Sequence, residues 1–221
     1  MWCVPKITPE FINRMEEVLD LYEKPYNAKE PVLCIDEKSK QLLEETRATQ
    51  NMEEGKPRRK DYEYKRNGTR NCFITVEPKG GHREVTITER RTKKDFAKEV
   101  RRIISLPRYK DADIIHFVLD NLNTHFEKSF IETFGEEETK RIMSRIRFHH
   151  TPKHASWLDM AEIEIGIMDR QCIKGRIPTE EKLREKIRFW KNERNRQEMT
   201  ITWRFTVGKA REKFKYCTRK N

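Results

Sequence analysis

The chain has 221 residues, within the range of a single domain with one core. Lys and Arg total 48 against 37 Asp and Glu, a formal charge of +11 with a pI near 9.4, which favours a polyanionic partner: nucleic acid first, an anionic membrane surface second. No apolar run approaches the roughly 20 residues needed to cross a bilayer, and the N-terminus lacks the apolar stretch of a signal peptide, so a cytoplasmic protein without a membrane span is expected.

Thr8 followed by Pro9 signals a helix start, and Phe11, Met15, Val18 and Tyr22 recur at helical spacing until Pro25 stops them. The apolar run 32–35 predicts a short strand with Asp36 and Glu37 at its end. A charge-dense stretch, 56–70, follows and contains the turn dipeptide Asn67-Gly68. Strands over 71–76 and 84–88, joined through Pro78, Gly80 and Gly81, complete an antiparallel meander of three strands. Phe96, Val100, Ile103 and Ile104 form the stripe of a helix that closes at 105–107.

A second apolar run, 114–119, ends in Asp120. Helical spacing over 130–145 is interrupted at Gly135, and a short strand over 146–149 is stopped by Pro152. Ser156 can cap a helix whose apolar face is Leu158, Ala161, Ile165, Met168 and Cys172, with Glu162 beside it. Thr179 caps another helix carrying Leu183, Ile187 and Trp190, and Val207, Ala210 and Phe214 make a last short one. The order of three strands, helix, strand, helix, strand and then several helices predicts an α/β fold, a mixed sheet flanked by helices in the ribonuclease H-like order. Mean hydropathy is low, -0.99, but the periodic apolar clusters argue against wholesale disorder. The five cysteines are scattered and never form a CxxC pair, so they read as reduced packing residues.

Acids at the ends of two separate strands, with a third on a helix that packs on the same sheet, can converge on one point. Three carboxylates there repel one another unless divalent cations intervene; Mg²⁺ takes a few carboxylate oxygens and leaves its other positions to water and phosphate. Two such ions about 3.5 to 4 Å apart can hold the attacking and leaving oxygens of an in-line phosphoryl displacement. Asp36 is the natural bridge, with Asp120 and Glu162 on either side. Because strand phase and helix rotation are not fixed by sequence, Glu37 could stand in for Asp36, and Asp159 or Glu164 for Glu162. Taken singly, each acid is also explained as a turn former or a solvated helix residue.

The stretches CIDEKSKQL (34–42), DYEYKRNGT (61–69), VLDNLNTHF (118–126) and TPKHASWLDMAEIE (151–164) resemble the bacterial insertion-sequence branch of the mariner-like transposases, in order and over most of the chain. The resemblance implies a connecting helix over 1–30 and a DDE catalytic domain with C-terminal helices over 31–221, with Asp36, Asp120 and Glu162 as the catalytic and metal-binding acids. It implies Mg²⁺ or Mn²⁺, two ions, and nicking at element ends by a metal-activated water. The freed 3′-hydroxyl then attacks target DNA, without a covalent protein intermediate. The implied partners are double-stranded DNA, both element ends and a TA target, and a second copy in a synaptic homodimer. Two departures stand out. Asp159 occupies a position that is usually Asn in the family, one helical turn from Glu162. The helix-turn-helix modules usually found upstream are not in this sequence, so end recognition is expected from a separate polypeptide or not at all, which leaves salt-sensitive backbone contacts. A catalytically inactive DNA-binding remnant and a stand-alone ribonuclease H-like nuclease are the competing readings.

Arg58, Arg59, Lys60, Lys65, Arg66 and Arg70 interleave with Tyr62 and Tyr64, a mixture suited to phosphate contact and base stacking, though a solvated hairpin face explains it equally. Arg90, Arg91, Lys93 and Lys94 could also line a DNA path. The place of Lys153 and His154 in the family-like TPKHASW segment implies that they approach the DNA backbone near Glu162. Asn121, Asn123 and His125 could orient the Asp120 loop. His149, His150 and His154 with Cys172 raise the idea of a zinc site, which Pro152 disfavours by breaking their spacing.

Overall fold

Side-chain alternation along one central strand divides the molecule into two layers of helix around a sheet. The computed structural model describes residues 7–47, 52–57, 61–120 and 126–216. Arg58, Arg59, Lys60, Asn121, Asn123, His125, Cys3 and Cys217 lie outside them. Helix α1 (Pro9–Glu23) leads to β1 (Val32–Glu45), β2 (Tyr64–Glu77) and β3 (His82–Thr88). Helix α2 (Lys93–Ile104), β4 (Ile115–Leu119), α3 (Phe126–Phe134), α4 (Glu136–Arg145) and β5 (Ile146–His150) follow. A single 3-10 turn (Ser156–Leu158) enters α5 (Met160–Gln171), and α6 (Glu180–Arg196) and α7 (Val207–Phe214) close the chain. The sheet order is β3-β2-β1-β4-β5, antiparallel across β3, β2 and β1 and parallel across β1, β4 and β5.

In β1, Leu33 and Ile35 point into a core shared with Phe96, Val100 and Ile103 of α2, Phe117 and Leu119 of β4, and Phe130 of α3. Cys34 points the other way, with Met15, Val18, Leu19 and Tyr22 of α1, Val118 of β4, and Met160 and Ala161 of α5. Farther along that second face, Cys72 and Ile74 of β2 meet Ile165 and Met168 of α5 and Leu183 and Ile187 of α6. Burying each such side chain contributes roughly 1.5–3 kcal/mol, so these stripes are what hold the helices on the sheet. The predicted caps at Thr8 and Thr179 are formed: Phe11 N–H donates to Thr8 Oγ1 at 3.1 Å and Lys182 N–H to Thr179 Oγ1 at 3.3 Å.

Three expectations are corrected. The strand at 32–35 runs on to Glu45, so Asp36 lies within β1, opposite Ile74 of β2, rather than at its end. What ends near Asp36 is the pairing with β4, which is registered at Cys34↔Val118. Asn67-Gly68 is no hairpin turn: it sits inside β2 where the register with β1 shifts between Gln41 and Leu43, a β-bulge whose Gly68 takes φ 94°. The cap of α5 is Asp159, whose Oδ1 accepts the Ala161 N–H at 2.8 Å, and not Ser156, which belongs to the preceding 3-10 turn.

A buried ionic cluster fastens α5 and α6 to β3. Glu164 of α5, with no exposed surface, accepts from Nε of both Arg83 and Arg194 at 2.6 Å. Arg83 is itself fully buried and also donates from Nη1 to Gly81 O at 2.9 Å. Asn195 of α6 bonds the Arg83 backbone in both directions, at 2.8 and 2.9 Å. No helix among the described residues is long and apolar enough to cross a membrane.

Candidate active site

Asp36 follows Cys34 in strand phase and therefore shares its face, the one covered by α1 and α5. Glu37 follows Ile35 onto the opposite face, toward α2. The charges acting on the two carboxyls reflect this division. Asp36 is pushed up from 3.8 to about 7, first by burial and then by Glu162, Asp120 and Glu37, while the Glu37 N–H, donating to Asp36 Oδ1 at 2.7 Å, opposes the shift. Glu37 is also raised, by burial and by Asp120, with Arg91 pulling it down. Of the two, Asp36 is the acid on which Glu162 acts appreciably.

Asp120 lies at the C-terminal end of β4, directly after Leu119, whose carbonyl accepts the Thr151 N–H at 2.9 Å. That bond brings the segment leaving β5 back beside Asp120. Glu162 is exposed in the first turn of α5, whose next turn packs Ile165 against the β2 face. The charges of Glu162 and Asp120 both act on Asp36. Their oxygens are not drawn into a closed cage: among the described residues, no group of three or more His, Cys, Asp or Glu side chains is gathered tightly enough to hold a metal ion. Asp36, whose carboxyl the charges of Glu162 and Asp120 push up, makes with them a set of hard carboxylate oxygens suited to a hard divalent cation.

The alternative acids have other tasks. Glu164 is bound within the arginine cluster. Asp159 is 1% exposed and caps α5 from inside, its carboxyl raised well above the usual range by burial and then by the charge of Asp36. Neither the burial of Asp159 nor its contact with the α1 face follows from composition, but Asp159-x-x-Glu162 is a capping pattern that could have marked the helix start.

The basic candidates divide. Lys65 and Arg66 lie on the exposed outer part of β2, where Arg66 and Arg176 both stand over the Tyr64 ring, at 5.8 and 5.2 Å. Arg70 is engaged by Glu180 in an ion pair. Lys153 and His154 are exposed in the turn before α5, His154 with φ 61°. Arg59 and Lys60 are outside the described residues. The zinc grouping is not assembled. His149 is bound to His116 (2.9 Å) and Glu17 (2.5 Å), whereas Cys172 packs among the α5 and α6 side chains.

A mixed five-stranded sheet flanked by helices, with β1 at its centre carrying Asp36, is a ribonuclease H-like domain. Residues 31–184, well over half the chain, match the DDE superfamily endonuclease family, and the chain belongs to it. No curated protein matches. Among solved structures, the fold is similar to the mariner Mos1 paired end complex with Mg (TM-score 0.53, 13% identity, 98% of this chain and 64% of that one). It is also similar to the Mos1 mariner paired end complex with Mn (0.52, 13%, 97% and 63%). A third match is the Mos1 transposase paired-end complex with left transposon end (0.52, 13%, 90% and 61%). The chain therefore spans less than two thirds of those Mos1 chains.

Proposed function

We propose that this chain is the catalytic domain of a DNA transposase, in which Asp36, Asp120 and Glu162 hold two divalent cations, Mg²⁺ or Mn²⁺, to cleave and rejoin phosphodiester bonds. The observation that carries this reading is the placement of half-buried Asp36 on the sheet face covered by α5, where the charges of Glu162 and Asp120 act on it, within a stretch that matches the DDE superfamily endonuclease family. A bound cation would neutralise that repulsion and supply electrostatic stabilisation at the reacting phosphate. The protein's part is to aim the three acids at one place and to lay DNA across them. Exposed Lys65, Arg66, Lys153 and His154 fit phosphate contacts, and Arg59 and Lys60 belong to the same basic stretch of sequence.

On this reading the chain belongs to the insertion-sequence branch of the mariner-like enzymes, with residues 1–30 as a connecting helix and 31–221 as the catalytic domain. It acts as a homodimer on two element ends. Metal use agrees with Mos1 complexes having been obtained with Mg and with Mn. Asp159 gives no support to an inactive remnant, because its carboxyl faces the interior as a cap. The test is nicking of supercoiled plasmid by the purified chain in Mn²⁺, with strand transfer assayed using a duplex bearing a free 3′-hydroxyl. The reading expects Mn²⁺-dependent nicks and joined products, both abolished by EDTA. No nicking in either ion contradicts it, and nicks on RNA-DNA hybrids alone would favour the stand-alone nuclease.

A further inference from the structure

Asp159 closes a buried junction that neither the capping role nor the acidic site alone accounts for. Its Oδ1 accepts the Ala161 N–H at 2.8 Å and its backbone carbonyl accepts the Glu162 N–H at 3.2 Å. Its Oδ2 is sealed from solvent and accepts no hydrogen bond. Beside it stand Tyr22 of α1 and Cys34 of β1. The Tyr22 hydroxyl donates to Leu158 O at 2.7 Å and lies 3.3 Å from Cys34 Sγ. One point thus joins α1, β1 and the entry to α5, just ahead of Asp36 along one chain segment and just ahead of Glu162 along the other.

We propose that Asp159 is a positioning residue for the acidic site: it fixes the first turn of α5 to β1, so that Glu162 meets Asp36 and Asp120 in one orientation. The inference rests on the functional reading above. Glu162 occupies the third position of α5, within the turn whose free N–H groups depend on the cap. Without it that turn frays, and an exposed glutamate on a frayed turn no longer has a fixed direction. The role calls for an acceptor at Oδ1 and for bulk against Tyr22 and Cys34, and it makes no use of an acceptor at Oδ2. An asparagine would keep both features.

The experiment measures Mn²⁺ affinity by electron paramagnetic resonance, together with thermal unfolding, for Asp159→Asn, Asp159→Ala, Asp159→Ser and Asp36→Asn. Residues that orient metal ligands typically change affinity by about 10- to 100-fold when removed. Asp159→Ala should weaken Mn²⁺ binding by that factor in protein that is still folded, and Asp159→Asn should restore it to near wild type. Asp159→Ser, which caps a helix but is too short to press on Tyr22 and Cys34, should fall between them and carries the test if the alanine variant does not fold. A lower unfolding temperature with unchanged Mn²⁺ affinity in the alanine or serine variant overturns the inference, as does an asparagine variant no better than alanine. Asp36→Asn separates the two levels. If it leaves Mn²⁺ binding intact, the functional reading falls and the inference with it; if it abolishes binding while the Asp159 variants match wild type, only the inference falls.

Discussion

Glu162 and Glu164 stand two residues apart on α5 and have opposite surroundings. Glu164 is fully buried with two arginines against it, Arg83 from the sheet and Arg194 from the neighbouring helix. Glu162 is exposed and faces a region where the leading charges on Asp36 are carboxylates. A buried acid that serves the fold has its cations built into the polypeptide. Asp36, for which the protein provides repulsion instead, is explained if its cations come from solution.

The contrast can be broken or sharpened by exchanging what each acid needs. The largest effect is expected on chemistry: Asp36→Asn and Glu162→Gln should each bring Mn²⁺-dependent nicking down to background in plasmid assays, with circular dichroism unchanged. Glu164→Ala should do the reverse. It leaves Arg83 buried without its carboxylate, so denaturant unfolding should show a loss of about 3–5 kcal/mol.

Next in size is a pH effect. The folded chain holds the Asp36 proton more tightly than the unfolded chain, up to about 7 against 3.8. Stability from this group is therefore present at low pH and is lost as pH rises from about 4 to about 7. Metal-free Asp36→Asn should match wild type near pH 4 and exceed it by on the order of 3 kcal/mol above pH 7. A gap that does not open across that window would place Asp36 in an ordinary solvated environment. The smallest effect belongs to the half-exposed pair Arg211–Glu16, at 2.8 Å, where Arg211→Ala should change stability by no more than about 1 kcal/mol.

Much of this architecture was legible in the sequence because apolar periodicity reports what is buried. Runs 32–35 and 114–119 are covered on both faces and read as strands, and Leu158, Ala161, Ile165 and Met168 mark the buried side of α5. The outer parts of β1 and β2 escaped because neither face is well covered there. Of β1 beyond Glu37, Leu42 is the only buried residue, and exposed Lys and Arg carry no alternation to read. The same blindness turned the Asn67-Gly68 bulge into an expected turn. For the candidate site, the strand and helix placement of the acids was readable, whereas the choice of Asp36 over Glu37 toward Glu162 needed the strand phase. Pairings such as Arg83 with Glu164 and Arg70 with Glu180 join residues far apart in the chain, which no local pattern encodes. That Asp159 turns inward was not legible, because sequence does not say which side of a helix start faces the core.

The most direct test of the central claim is to crystallise the chain with Mn²⁺ and DNA and collect data at the manganese absorption edge. The account predicts anomalous density between Asp36, Asp120 and Glu162, absent when Asp36 is replaced by Asn. Density confined to other sites, or none at those carboxylates with DNA bound, would contradict it.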